Sequence, residues 1–84
     1  MIRILIEYCV ECLFLGRAIE TAQALLNEYA EHIESLALKP GHDGVFNVFV
    51  DDQLIATVTE AGMPPRVEAV TKSIRPYLRG GKHS

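Results

Sequence analysis

Ile2-Arg3-Ile4-Leu5-Ile6-Glu7-Tyr8-Cys9-Val10-Glu11-Cys12 is the stretch whose reading decides the fold. Ile2, Ile4, Ile6 and Tyr8 alternate with Arg3, Leu5 and Glu7. A period of two in a β-branched run predicts a strand with one face buried. Both cysteines of the chain, Cys9 and Cys12, follow at once. From Leu15 the period changes: Leu15, Ala18, Ile19, Ala22, Leu25, Leu26 and Tyr29 fall on one stripe, with Arg17, Glu20, Gln23, Asn27 and Glu31 opposite. That pattern predicts an amphipathic helix from about Cys12 to about Ala30. The dithiol is therefore expected where a strand ends and a helix begins.

Working outward, Glu34 to Lys39 carries Leu36 and Leu38 on one side, a short strand that Pro40-Gly41 is expected to terminate. His42-Asp43-Gly44 reads as a turn. Val45 to Val50 and Leu54 to Thr59 are β-forming runs separated by Asp51-Asp52-Gln53, which predicts a hairpin. Gly62 and Pro64-Pro65 punctuate a loop, and Pro65 is placed to open a second helix. Val67, Val70, Ile74 and Tyr77 or Leu78 continue its stripe, and Pro76 predicts a kink or an early end. Residues 1–79 are expected as one domain and 80–84 as a flexible tail. The order strand, helix, strand, strand, strand, helix is α/β: a parallel pair with a right-handed crossover, plus an antiparallel hairpin, in two layers. With both helices on one face of the sheet, Leu5, Val45, Phe49 and Ile55 are expected on the uncovered side.

A chain of 84 residues buries only somewhat more than roughly 60% of its unfolded surface. The 49% hydrophobic content supplies material for a core, and a net charge of −3 without a basic block gives no electrostatic case for nucleic acid. Glu7 and Glu11 cut the N-terminal apolar run short of a signal-peptide core, and no stretch has the length to cross a bilayer. The expectation is a cytoplasmic domain with no membrane contact. In that setting a close cysteine pair reads as catalytic or metal-binding before it reads as a staple.

A thiolate is the reactive form of cysteine, and a helix N-terminus favours it. Cys-x-x-Cys at a strand-to-helix junction also places a second sulfur where it can resolve a mixed disulfide. As a purely structural bridge the pair would close so small a loop that chain entropy allows only about 2 kcal/mol. Zinc needs four ligands, and His32, His42 and His83, read as surface residues, stand at unhelpful spacings. A dimer sharing four cysteines around one metal would satisfy it. A copper-chaperone-like domain also puts Cys-x-x-Cys after its first strand. Such domains carry Met where this chain has Glu7, and they end on a strand that Gly80 to Ser84 does not offer. No cofactor is expected. Glu7 and Glu11 flank the thiols, and a carboxylate several ångströms away costs a thiolate on the order of 1–2 kcal/mol.

With these residues in view the chain resembles the selenoprotein W/T/H-related Rdx family of thioredoxin-like proteins. The matching pieces are Glu7-Tyr8-Cys9-Val10-Glu11-Cys12, Arg17-Ala18, Ala37-Leu38-Lys39-Pro40-Gly41, Gly44-Val45-Phe46-Asn47-Val48, Val50-Asp51 and Gly62-Met63-Pro64. Their order and spacing carry the likeness, from Arg3 to about Leu78. It implies a reduced thioredoxin-like fold, sheet order 2-1-3-4, both helices on one face, and a thiol-redox role. Selenocysteine in the selenium-containing relatives maps to Cys12, whereas thioredoxin logic makes Cys9 the attacking sulfur. Asp52 stands where relatives commonly have a turn glycine, Met63 replaces an aromatic, and Thr57 to Glu60 replace basic residues.

The candidate site is thus Cys9 and Cys12, supported by Tyr8, Glu11, Arg17 and Pro64. Tyr8 either shields the thiols or belongs to the core. Arg17 either offsets the glutamates or is solvated, and Pro64 either borders the dithiol or simply starts a helix. The expected activity is thiol–disulfide exchange with a redox protein partner or glutathione. The alternatives are an interaction module with a regulatory or vestigial dithiol, including a homodimer through the uncovered sheet face, or a metal-handling domain.

Overall fold

The computed structural model describes residues 1–80. Its elements are β1 (Ile2–Cys9), α1 (Leu15–Tyr29), a single 3-10 turn (Ala30–His32), β2 (Ile33–Gly41), β3 (Phe46–Val50), β4 (Gln53–Ala56) and α2 (Val67–Gly80). The sheet order is β2-β1-β3-β4, with β1 parallel to β2 and antiparallel to β3, and β3 antiparallel to β4. This is the mixed four-stranded α/β sheet expected from the order of periodicities. The alternation of β1 holds residue by residue: Ile2, Ile4, Ile6 and Tyr8 are buried, and Phe46, Val48 and Val50 of β3 bury against them. Ala18, Ala22 and Leu25 of α1 and Val70 and Ile74 of α2 complete the core. Tyr29 ties the helices together, its hydroxyl donating to the Thr71 carbonyl at 3.4 Å and accepting from Arg75 Nε at 3.1 Å.

Several boundaries differ from the expectation. The first helix starts at Leu15, three residues after Cys12, because Leu13 takes φ +62°, a left-handed conformation that a right-handed helix cannot contain. Its inward face holds Thr21 beside the alanines, whereas Leu15, Ile19 and Leu26 are exposed. Thr21 is fully buried at no polar cost, since its hydroxyl donates to the Arg17 carbonyl at 2.8 Å. β2 runs through Pro40 to Gly41 because it is an edge strand, where a missing N–H removes no ladder bond.

β4 stops at Ala56 after a register shift opposite Val48/Phe49. The β3–β4 loop, one residue shorter than expected, pairs Gln53 with Val50 and so turns Ile55 toward the core instead of the uncovered face. In its place Leu54, paired with Phe49, joins Leu5 and Ala37 in a row across the open side. Val45 precedes its strand and packs over Gly41. α2 begins at Val67, two residues beyond Pro65, and continues past Pro76 to Gly80 without the early end. Pro76 lies on the exposed side, where water can take the carbonyl that its ring leaves free. Of the expected tail, Gly80 closes α2 and residues 81–84 lie outside the described residues.

The β3–β4 hairpin is closed by Asp51 and Asp52, at φ +49° and +75°. Val50 pairs with Gln53, so these two residues form the whole loop, and both are left-handed as a type I′ turn requires. Asp51 compensates by accepting the Arg3 N–H at 3.0 Å and donating its own N–H to the Arg3 carbonyl at 2.9 Å. Asp52 has no such contact among those described. Replacing Asp52→Gly is expected to raise stability by about 0.5–1 kcal/mol, by relieving a conformation that L-residues adopt at a cost. Urea unfolding checks this; an unchanged or lower midpoint would contradict it.

Candidate dithiol site

β1 ends at Cys9, which pairs with Gly41 of β2 and donates its N–H to the Val45 carbonyl at 2.8 Å. Cys9 is 0% exposed. Gly41 is needed beside it: a side chain there would meet Val45 Cγ2 at 3.0 Å and Glu7 Cγ at 3.2 Å. Val10–Phe14 then turn back over the strand end, held by Val10 N–H to the Gly41 carbonyl (3.1 Å), Leu13 N–H to the Val10 carbonyl (3.1 Å) and Phe14 N–H to the Cys9 carbonyl (3.3 Å). Phe14 pins the turn from the far side by packing edge-on against Phe46, with ring centroids 6.3 Å apart. Within this turn Cys12 is half-buried, and its sulfur forms a disulfide with Cys9. The two sulfurs of one bond therefore have different access to solvent.

The accessible end opens on a groove of about 370 Å³ lined by Cys12, Leu13, Phe14, Arg17, Met63 and Pro64, among others. Its far wall is a tight loop closed on Thr59. Thr59 donates its N–H to the Met63 carbonyl (2.8 Å), its carbonyl accepts from Gly62 N–H (2.8 Å), and its hydroxyl accepts from Met63 N–H (3.3 Å). Gly62 sits at φ +76°, which makes glycine the natural residue for that turn. Leu13 is 86% and Met63 56% exposed, so the rim of the groove is apolar.

Pro64 is buried in the groove wall beside Cys12 and Arg17. Arg17 donates from Nη1 to the Pro65 carbonyl at 3.1 Å and pairs through Nε with Glu20 at 3.3 Å. It is thus engaged in joining the first turn of α1 to the loop before α2. Tyr8 is part of the core cluster and does not line the groove. The helix N-terminus that was to stabilise a thiolate begins three residues past Cys12, and its dipole falls off within a turn. Glu11 is exposed, yet its Oε1 stands 3.5 Å from Cys9 Sγ.

The same Glu11 carboxylate contacts His42 Nδ1, at 3.2 Å from Oε1 and 3.4 Å from Oε2. A hydrogen bond from its own backbone N–H, followed by the one to His42, holds the Glu11 carboxyl below the usual glutamate range. A lowered folded-state value favours the folded chain where the carboxylate is ionised, and that contribution is lost as pH falls through the glutamate range. His42 was read from the sequence as a surface residue; exposed it is, but β2 delivers it to the dithiol. The signal lay in the parallel register, since Cys9 faces Gly41 and His42 is the next residue. Among the described residues no group of three or more His, Cys, Asp or Glu side chains is placed to hold a metal ion, and no helix is long and apolar enough to cross a membrane.

The family model described as the Rdx family matches residues 3–76. The chain is similar in structure to a selenoprotein W-related protein from Vibrio cholerae, at 28% identity and a TM-score of 0.83, covering 92% of this chain and 96% of that one. It is also similar to a protein from Bordetella parapertussis, at 30% identity and a TM-score of 0.82, covering 90% and 96%. No curated protein matches it.

After reduction, the burial of Cys9 is expected to protect it from iodoacetamide while Cys12 reacts. The expected preference for Cys12 is at least about tenfold at neutral pH, because alkylation follows access as well as thiolate content. Peptide mapping after brief labelling measures it; equal labelling would contradict the asymmetry.

Proposed function

The chain belongs to the Rdx family, and from that premise we propose that it is a thiol–disulfide redox protein that exchanges through Cys12. The observation that carries this reading is the unequal burial of two bonded sulfurs, with the accessible one facing a groove. The partner is a redox protein or glutathione. In the reductive direction its thiolate attacks Cys12 Sγ, the Cys9–Cys12 bond breaks, a bond from Cys12 to the partner sulfur forms, and Cys9 leaves with the electron pair. A second partner thiolate then attacks the partner sulfur of that mixed disulfide, and Cys12 leaves with the electron pair. In the oxidative direction the sequence runs backward, and Cys9 resolves the mixed disulfide by attacking Cys12 Sγ and releasing the partner thiolate.

Position supports the division of roles. An attacking thiol needs access along the S–S axis, which the groove gives to Cys12. A resolving thiol needs only to lie within reach of the first sulfur, which the end of β1 gives to Cys9. Pro64 and Met63 border the approach, and Arg17 holds the two walls together by its bond to Pro65. The assignment of Cys12 as the attacking sulfur also agrees with the position that selenocysteine occupies in the relatives that the family likeness brings in.

A second reading draws on the open sheet face. Ala37, Leu5, Phe49 and Leu54 are in register across all four strands and form an apolar row there. A row of that kind suits a protein partner or a second copy of the chain, with the dithiol regulatory. The readings separate in one experiment on Cys9→Ser and Cys12→Ser chains challenged with oxidised glutathione and with lysate. The redox reading expects Cys9→Ser to accumulate mixed disulfides on Cys12 and Cys12→Ser to form few, by non-reducing electrophoresis and mass spectrometry. Equal partner binding by the wild type with both thiols blocked, and no trapping by either variant, would defeat it.

A further inference from the structure

Cys9 leaves or re-forms the disulfide from a position with no exposure to solvent. Its proton therefore has to be exchanged with a protein group. We propose that Glu11 is the acid–base group of the buried Cys9 sulfur and that His42 is the positioning residue that holds the Glu11 carboxylate over it. This deepens the redox reading of the site and rests on it. The geometry is a chain from solvent inward: His42 is largely exposed, its Nδ1 lies 3.2 Å from Glu11 Oε1, and that oxygen lies 3.5 Å from Cys9 Sγ.

In the reduced protein the Cys9 thiol donates to the Glu11 carboxylate, which favours the thiol over the thiolate, since a thiolate would face a like charge. During resolution Cys9 Sγ attacks Cys12 Sγ and its proton passes to Glu11. The Cys9–Cys12 bond forms, the bond from Cys12 to the partner sulfur breaks, and the partner leaves as a thiolate with the electron pair. Reductive opening runs the same steps backward, and Glu11 returns the proton to the leaving Cys9 sulfur. The carboxylate suits this part because it is held ionised, by its own backbone N–H first and by His42 second.

Glu7, Lys39, Asp43 and Arg17 are the other charged groups around the site. Glu7 lies two residues before Cys9 on β1, on the same face by strand alternation, with its carboxylate beside Gly41, the residue paired with Cys9; Lys39 is its own partner across the ladder. Asp43 follows His42 in the turn. Arg17 of α1 is taken by the Pro65 carbonyl and Glu20.

The test titrates Cys9 as the sole thiol, in a Cys12→Ser chain, by thiolate absorbance with circular dichroism to confirm folding. Adding Glu11→Gln is expected to raise the thiolate fraction at a given pH about tenfold, a downward shift of about one unit in the Cys9 midpoint. Adding His42→Ala is expected to raise the thiolate fraction while Glu11 is present, by less than Glu11→Gln does, and to change nothing once Glu11→Gln has been made. An unmoved midpoint in Glu11→Gln, or an equal effect of His42→Ala with and without Glu11, overturns the proposal. If Cys12→Ser loses its fold, the dithiol–disulfide equilibrium of the two-cysteine chain is followed against pH. Its upper break is then expected to move down in Glu11→Gln, and an unmoved break overturns the proposal equally. Neither measurement needs a physiological partner, so failure of the trapping experiment and failure of this one are distinguishable.

Discussion

The burial of Cys9 follows from the position of β1. β1 is a central strand, with β2 hydrogen-bonded along one edge and β3 along the other, so its last residue is enclosed on both sides. The chain can leave only by turning over the end of the sheet, and Phe14 seats that turn against Phe46. A cysteine in the last position of the strand is thus fixed and dry, and one three residues later is placed at the surface of the turn. In the proposed exchange this contrast, more than the spacing itself, separates the roles of the two sulfurs. A Cys-x-x-Cys in which both sulfurs were equally open would leave the attacking role undetermined.

The helices serve the site indirectly. α1 presents Ala18, Thr21, Ala22 and Leu25 to the core. α2 is fastened to it through Tyr29 and Arg75 at one end, and through the bond from Arg17 to Pro65 at the other. This second fastening matters for function, because the segment before α2 carries Met63 and Pro64 into the groove wall. Loss of the Arg17 contact would loosen the groove without touching either sulfur.

What the sequence made legible was whatever depends on period. β1, β3 and the element order follow from alternation and helical spacing, and the sheet order came with the family likeness. The start of α1 was not legible, since nothing in the pattern marks Leu13 as left-handed; its position before a clear helical stripe argues the other way. Ile55 was assigned to the wrong face because the hairpin loop has two residues and not three, and one residue of loop length inverts every side chain after it. Pro40 and Pro76 were read as stops, yet an edge strand and an exposed helix flank each tolerate a missing N–H. Within the site, the cysteines and Glu11 were singled out from local sequence, and Pro64 through the likeness to thioredoxins. His42 was not, because its partner is thirty-one residues away and only the β1–β2 register brings them together.

The electrostatic setting bears on which way such a pair is poised. A thiolate stabilised in the reduced state makes the disulfide a stronger oxidant, because the product of reduction is then favoured. Here the two usual sources of that stabilisation are weak. The helix N-terminus begins a turn too late, and Arg17 is engaged with a carbonyl and a carboxylate. The group closest to the buried sulfur is instead an acid. Each of these favours the thiol, or leaves the disulfide comparatively stable, and none favours a strong oxidant. In the exchange proposed for it, a dithiol built this way would suit electron donation or exchange near the poise of a thiol buffer, with Glu11 in the proton-carrying part proposed above.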